Sequence, residues 1–336
     1  MIKIFMTHND AALQNYFGHD AYSKLTQLGD VSYCQQASET TPNDIIQQAK
    51  DCEILVSYRI PPIDASLIAA LPQLKAICRV AVDIRNIDIA SANAAGVLVT
   101  QATPGFATSV SEWIIGMMIN LSRHIPSDVA DYQSGTQPSA KMGVELRGLT
   151  LGIIGFGTIA RTLAPLAQAF GMKLMVADPY VTPPETFSGQ FTALSQVLAE
   201  ADFVVCLAPA TPETTHLISA EAFTQMKPTA YFINASRGEL VNEEDLYHAL
   251  ETEQLAGCAM DVGMGNDQTP SLKLAQHKKV LATPHIAGLT PQATQHQAMD
   301  IVEQIRALTH GNVPQNAVNL PHAYRAIEHF HLETNT

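Results

Sequence analysis

The chain is short of positive charge, of paired cysteines and of long apolar runs, and each shortage removes a class of function. Nineteen Lys and Arg stand against 32 Asp and Glu in 336 residues, a formal charge of −13. Nucleic acids and anionic membrane surfaces select basic patches, so neither is an expected partner. An anionic substrate would have to be held by a few placed cations. The five cysteines, Cys34, Cys52, Cys78, Cys206 and Cys258, are odd in number and make no C-x-x-C. Three lie in apolar, strand-like runs and read as buried free thiols. No apolar run approaches membrane-spanning length. The opening MIKIFMTHND is a strand pattern without the apolar core of a secretory leader, so a cytoplasmic protein is expected. His322, His329 and His331 lack metal-ligand spacing with acids or cysteines, and no metal site is expected.

What is present alternates between strand and helix. A chain of 336 residues is long for one core, so two domains are expected. Within residues 1–100, Ile2–Met6, Glu53–Ser57, Leu74–Cys78 and Val97–Thr100 read as strands. Helical stretches lie between them at 45–50, 65–70 and 89–95. Such alternation implies a parallel sheet covered on both faces, here a small doubly wound domain. TPGF at 103–106 is a breaker and an expected crossing between domains. Residues 109–121 then read as one long helix, and the polar stretch 125–148 as a loop or extended arm. Further strands are expected at 203–207, 231–234, 258–262 and 280–283. The helix 291–309 and the tail are candidates to return to the first domain.

The richest stretch is 149–178. An apolar run, Leu149 to Ile154, leads into Gly155, Phe156, Gly157, Thr158, Ile159 and Ala160, then a helical pattern to Phe170, a stop at Gly171 and a second apolar run ending on Asp178. This is strand, glycine turn, helix, strand, acid. With a dinucleotide as ligand each part has a task. Gly155 permits the tight turn, Gly157 lets backbone approach a pyrophosphate, and Ala160 lets helix and strand lie close. The helix N-terminus offers N–H groups and a positive dipole end to phosphate. Asp178 lies 21 residues after Gly157, where an acid takes the ribose hydroxyls. A carboxylate repels a 2′-phosphate, and no Lys or Arg occurs from Leu174 to Met226, so NAD is favoured over NADP.

The later motifs carry a family resemblance. PATPET at Pro209–Thr214, NASRGELV at Asn234–Val241, AMDV at Ala259–Val262 and TPHIAG at Thr283–Gly288 follow the glycine turn in order. The chain resembles the D-isomer-specific 2-hydroxyacid dehydrogenases, the family of phosphoglycerate, glycerate and lactate dehydrogenase-like enzymes. The resemblance implies a Rossmann-type doubly wound parallel sheet over 102–289 and a smaller flavodoxin-like α/β substrate domain from 1–101 with 290–336. It implies a homodimer paired through the nucleotide domain and an arm, which 109–148 resemble. Arg237 matches the family's substrate-carboxylate arginine, and a guanidinium suits that role through two parallel hydrogen bonds. His285 matches the acid–base histidine, and Asp261 an acid facing the nicotinamide carboxamide. Cofactor contacts are implied around Phe156–Ile159 and at Pro209, Thr214, Ala235 and Gly288. In the first domain, Arg59, Val82 and Asp83 lie in loops after strands, where ligands of such sheets bind.

Two departures stand out. The family usually places a glutamate five residues after the Asp of its DV motif, against the histidine; here that position is Asn266, with Asp267 next to it. A carboxylate there would favour imidazolium and raise the His285 pKa by roughly 1–3 units, whereas an amide would only orient the ring. Either residue is a candidate partner, with Asp267 the expected acid. The family's Gly-rich turn is replaced by Ala81-Val82-Asp83. Asp83 either points away or pairs with Arg59 or Arg85, and the expectation is a substrate other than a standard small 2-oxo acid bound in the standard way. The function expected is hydride transfer between NAD and a 2-hydroxy acid/2-oxo acid pair. Formate-dehydrogenase-like oxidation, suggested by Asn266, and an NAD-sensing binding protein are the alternatives.

Overall fold

A computed structural model describes residues 1–35, 40–265 and 268–333. The chain forms two compact units: Met1–Gly105 with Thr290–Thr336, and Phe106–Leu289. Each is a parallel sheet with helices on both faces.

The first unit contains strands β1 (Ile2–Met6), β2 (Gly29–Tyr33), β3 (Ile54–Ser57), β4 (Ala76–Arg79) and β5 (Leu98–Gln101) in the order β2-β1-β3-β4-β5, the flavodoxin-like arrangement. Its cause is visible along each strand. Ile4, Met6, Ile54, Val56, Ala76, Cys78 and Leu98 point to one face, while Phe5, Leu55, Ile77 and Val99 point to the other. Side chains alternate with period two, so a strand apolar at every position must be covered twice. The first face is closed by the helices 10–16, 19–25, 291–309 and 324–330; the second by 42–48, 65–70 and 89–95. The outer edge of β5 is covered by the tail. The Asn319 side chain accepts the Val99 N–H at 2.7 Å and donates to the Val97 carbonyl at 2.9 Å, and Val318 N–H donates to the Val99 carbonyl at 2.8 Å.

The second unit has β6 (Thr150–Ile154), β7 (Lys173–Ala177), β8 (Gln190–Phe191), β9 (Phe203–Cys206), β10 (Tyr231–Asn234), β11 (Gly257–Met260) and β12 (Val280–Ala282). All are parallel, in the order β12-β11-β10-β9-β6-β7-β8. The order reverses between β6 and β9, the place where such sheets bind ligands. The helices Ala107–Arg123 and Thr158–Ala169 cover one face over Leu151, Ile153, Phe203 and Val205, and the helices after β9 and β10 cover the other.

Three elements depart from the sequence-based expectation. Residues 125–133, read as loop, form the helix Ile125–Gln133, which begins with a proline in its first turn and buries none of its residues. Its apolar positions, Ile125, Val129 and Tyr132, are all exposed and stand among Pro, Ser, Asp and Gln, so the stretch as a whole reads as polar. β2 was missed because it is an edge strand with alternating exposure rather than an apolar run. β8 is only two residues long. Among the described residues no helix is long and apolar enough to cross a membrane, and no group of three His, Cys, Asp or Glu is arranged to hold a metal ion.

Candidate active site

The glycine turn follows β6. Gly155 has φ +90°, and a Cβ there would lie 2.7 Å from the backbone N and Cα of Ala208, so both conformation and space demand glycine. Gly157 differs. It precedes the helix Thr158–Ala169 with φ −80° and ψ −162°, ordinary extended backbone, and a Cβ there would meet nothing within 4 Å. Neither strain nor packing inside the chain requires this glycine; close approach from outside would. The helix it opens has no side-chain N-cap hydrogen bond. Its first turn therefore suits a diphosphate. Ala160, fully buried, brings the helix down onto the sheet.

Phe156 anchors this turn. Its ring is buried edge-on against Phe187 and Phe191, with centroids at 5.0 and 5.1 Å, and the Arg161 guanidinium lies over it at 4.9 Å. Its backbone N–H is thereby aimed at Asp178, whose Oδ2 accepts it at 2.7 Å while Oδ1 accepts the Tyr180 N–H at 2.9 Å. The acid at the end of β7 is tied to the glycine turn and keeps lone pairs for a ribose diol. Thr158 is exposed and Ile159 half-buried beside it.

After β9 the Thr214 hydroxyl donates to the Pro209 carbonyl at 2.7 Å and accepts the Thr211 N–H at 2.8 Å. These bonds close the PATPET turn, so Thr214 shapes the backbone around Pro209. After β10, the fully buried Asn234 does the same for NASRG. Its Oδ1 accepts the Ser236 N–H at 3.1 Å and its Nδ2 donates to the Arg237 carbonyl at 2.9 Å. Arg237 is half-buried, and its Nη1 donates to the Ser236 carbonyl at 2.8 Å. Ala235, in the same turn, is buried.

Asp261 sits between the turns. It is 2% exposed, and its backbone N–H donates to the Asn234 carbonyl at 3.1 Å. One carboxylate oxygen accepts the Thr283 hydroxyl at 2.6 Å and the Ile286 N–H at 2.8 Å; the other accepts the Ala287 N–H at 2.9 Å. Its carbonyl accepts the His285 N–H at 2.9 Å. These bonds hold His285 at φ +56°, a left-handed conformation uncommon outside glycine. Three of about four lone-pair sites on the Asp261 carboxylate are thus occupied from within TPHIA. That organising role was not legible from the motif alone. Gly288, half-buried, faces Phe106, which a Cβ would approach to 3.1 Å. Asn266 and Asp267, the candidate partners of His285, lie outside the described residues.

In the first unit, Arg59 and the 81–83 turn follow β3 and β4. Asp83 forms the pair with Arg85: its oxygens accept Nε at 3.1 Å and Nη2 at 2.9 Å, and the Arg85 N–H at 3.0 Å. Val82 beside it is half-buried. The turn is braced from below by Arg79, which the sequence reading passed over. This arginine is 6% exposed and donates to the Asp83 carbonyl at 3.1 Å and the Ser57 carbonyl at 3.2 Å; burial pushes its pKa down to about 10. His8, following β1, is fully buried against the rings of Phe17 and Tyr58. Neither of its ring nitrogens has a hydrogen-bond partner among the described residues. Burial, with the nearby Arg79 charge, pushes its pKa down to about 3.

Residues 115–287 match the model of the D-isomer specific 2-hydroxyacid dehydrogenase, NAD binding domain. The chain belongs to the D-isomer specific 2-hydroxyacid dehydrogenase family. Its cofactor is NAD, and the glycine turn, the open helix N-terminus and Asp178 are the features that fit it. Among relatives, the D-3-phosphoglycerate dehydrogenase of Synechocystis is 34% identical over 300 residues, covering 88% of this chain and 53% of that one. The glyoxylate reductase of Korarchaeum cryptofilum is 30% identical over 305 residues, 88% of this chain and 92% of that one. The chain spans only 53–60% of the length of the first two phosphoglycerate dehydrogenases it matches. A putative D-isomer specific 2-hydroxyacid dehydrogenase from Polaromonas superimposes with TM-score 0.86 at 25% identity, over 95% of this chain and 99% of the other.

Proposed function

We propose that this family member is an NAD-dependent oxidoreductase that interconverts a 2-hydroxy acid and its 2-oxo acid. The observation that carries the reading is the buried Asp261, hydrogen-bonded on one side to the end of the strand leading to Arg237 and on the other to the turn of His285. One set of turns thus presents a permanent cation beyond β10 and an imidazole beyond β12, with Asp261 at the end of β11 between them. Arg237 grips the substrate carboxylate through two parallel hydrogen bonds and draws electron density from the adjacent carbonyl. NADH, when bound, supplies the hydride. The His285 ring gives its proton to the carbonyl oxygen in reduction and takes the hydroxyl proton in oxidation. Asp261, Pro209, Thr214, Ala235 and Gly288 shape the backbone around the cofactor. Arg59, Val82 and Asp83, in the loops after β3 and β4 of the first unit, are the remaining candidates for substrate contact. Relatives named D-3-phosphoglycerate dehydrogenase and glyoxylate reductase support a hydroxy acid/oxo acid pair as the substrate class, and the Asp83–Arg85 pair in the 81–83 turn supports one other than a standard small 2-oxo acid bound in the standard way.

The test is turnover of a panel of 2-oxo acids with NADH, with formate plus NAD as the alternative arm. Arg237→Lys keeps the charge and loses the fork, so kcat/KM should fall by about 100-fold. An unchanged value removes Arg237 as the clamp. NADH binding without turnover of any substrate supports the NAD-sensing alternative instead.

We also infer a homodimer in the cytoplasm. The helix Ile125–Gln133 exposes Ile125, Val129 and Tyr132 at four- and three-residue spacing, and Met142 beyond it is 94% exposed. A stripe with no cover of its own suits a second copy. Sedimentation at a single-chain mass would sink this assignment. All five cysteines are buried free thiols, as in a reducing compartment.

A further inference from the structure

Glu243 opens the helix Glu243–Glu251 yet does not cap it; Asn242 accepts the N–H groups of Glu244 and Asp245 instead. The Glu243 side chain crosses to the loop after β11. Its Oε1 accepts the Met264 N–H at 3.0 Å and its Oε2 the Ser271 N–H at 3.3 Å. Between these bonds and the sheet lies Gly263, where a Cβ would fall 2.3 Å from Glu243 Oε1. On the other side is Gly238, the residue after Arg237: a Cβ there would fall 2.2 Å from the Gly263 carbonyl oxygen. Two glycine backbones therefore touch directly below Arg237, and Gly263 is two residues after the aspartate that holds the His285 turn.

We propose that Glu243 is a positioning residue for the reaction. By clamping the loop after β11 it keeps Gly263 against Gly238 and so fixes the spacing between Arg237 and His285. The proposal rests on the 2-hydroxyacid dehydrogenase reading above. The acidic first turn of the helix alone would explain a carboxylate here through the helix dipole, but not the glycine on which it lands or the second glycine beyond it. Arg237 alone can bind a carboxylate, and the glycine turn after β6 alone can bind the cofactor. Only the chemical step needs Arg237 and His285 in register.

The experiment compares wild type, Glu243→Gln and Glu243→Ala for kcat, for NADH affinity by fluorescence, and for the affinity of oxamate, a non-reducible 2-oxo acid analogue, in the NADH complex. For Glu243→Ala, kcat should fall by about 10- to 100-fold, the scale of an ångström-size misplacement. NADH and oxamate affinities should stay within about twofold, because each tolerates a displaced neighbour. Glu243→Gln keeps one acceptor and should fall between the two, which also covers the case that the alanine variant fails to fold. An unchanged kcat in a folded variant overturns the proposal. So does a parallel loss of kcat, both affinities and melting temperature, which marks a purely structural residue. If wild type binds NADH but reduces no 2-oxo acid, the functional reading itself fails, separately from the clamp.

Discussion

Replacing Gly157 by alanine separates cofactor binding from folding. The position has φ −80° and ψ −162°, and an added Cβ meets no atom of the chain within 4 Å. Gly→Ala at a compatible backbone stabilises by about 0.4–1 kcal/mol through the unfolded state. Alanine is a poorer N-cap than glycine, which costs a similar amount. The two offset, and the melting temperature should move by no more than about 2–4 °C in a unit of this size. The new methyl, however, would occupy open space at the start of the helix Thr158–Ala169, where the dinucleotide reading brings the diphosphate close to the backbone. Loss of one charge-assisted hydrogen bond to the diphosphate costs about 1.5–3 kcal/mol, so the NADH Kd should rise by roughly 10- to 100-fold. Gly155→Ala is the contrasting control. It forces a Cβ at φ +90° to within 2.7 Å of Ala208 backbone. Strain and overpacking together cost about 2–6 kcal/mol, so folding itself should suffer. Differential scanning fluorimetry and NADH fluorescence titration read the two effects. Wild-type NADH affinity in a folded Gly157→Ala protein would refute the argument that this glycine exists for the phosphates.

Asp178→Asn retains an oxygen for the Phe156 N–H and removes the charge. The preference for NADH over NADPH should narrow by about 5- to 30-fold, equivalent to about 1–2 kcal/mol of relieved repulsion at a half-buried site; an unchanged ratio in kcat/KM would assign the preference elsewhere. His8 should make the first unit acid-labile. Its pKa is about 3 folded against 6.5 unfolded, so the unfolded chain binds the extra proton below pH 6.5; stability is level above that pH and falls as the pH drops towards 3. At pH 5 the loss is about 2 kcal/mol, and His8→Leu should lose correspondingly less between pH 7 and pH 5 in urea titrations. Equal losses in both proteins would rule out His8 as the cause.

How much of this was legible in the sequence depends on whether the cause is local. The strand, turn and helix around Gly155 and Gly157 are local, and their apolar runs and glycine spacing can be read directly. The buried strands β3, β6 and β9 announce themselves as apolar runs; β2 does not, because its edge position leaves alternate residues exposed. The site is less legible because its organisers act at long range. Asp261 receives donors from residues 22–26 positions later, and Glu243 from 21 and 28 positions later. No periodicity encodes such pairs. The three arrangements open to Asp83 could be narrowed only by the structure, where Arg85, two residues on, folds back onto it.

The covered edge of β5 and the helix 291–309 have a consequence for how the chain is made. The sheet begun by the first residues needs a helix and a capping tail from the last ones, and the other unit, Phe106–Leu289, is synthesised in between. At about 5–20 residues per second a ribosome takes roughly 10–40 s to cross that interval. For that time the face bearing Ile4, Met6, Val56 and Leu98 has only the helices 10–16 and 19–25 to cover it, and β5 lacks its edge cover. The nucleotide-binding unit, contiguous in sequence, completes its own core first. The nascent chain is then a folded second half trailing an open, apolar first sheet, the form in which chaperone capture or mispairing between nascent chains would occur.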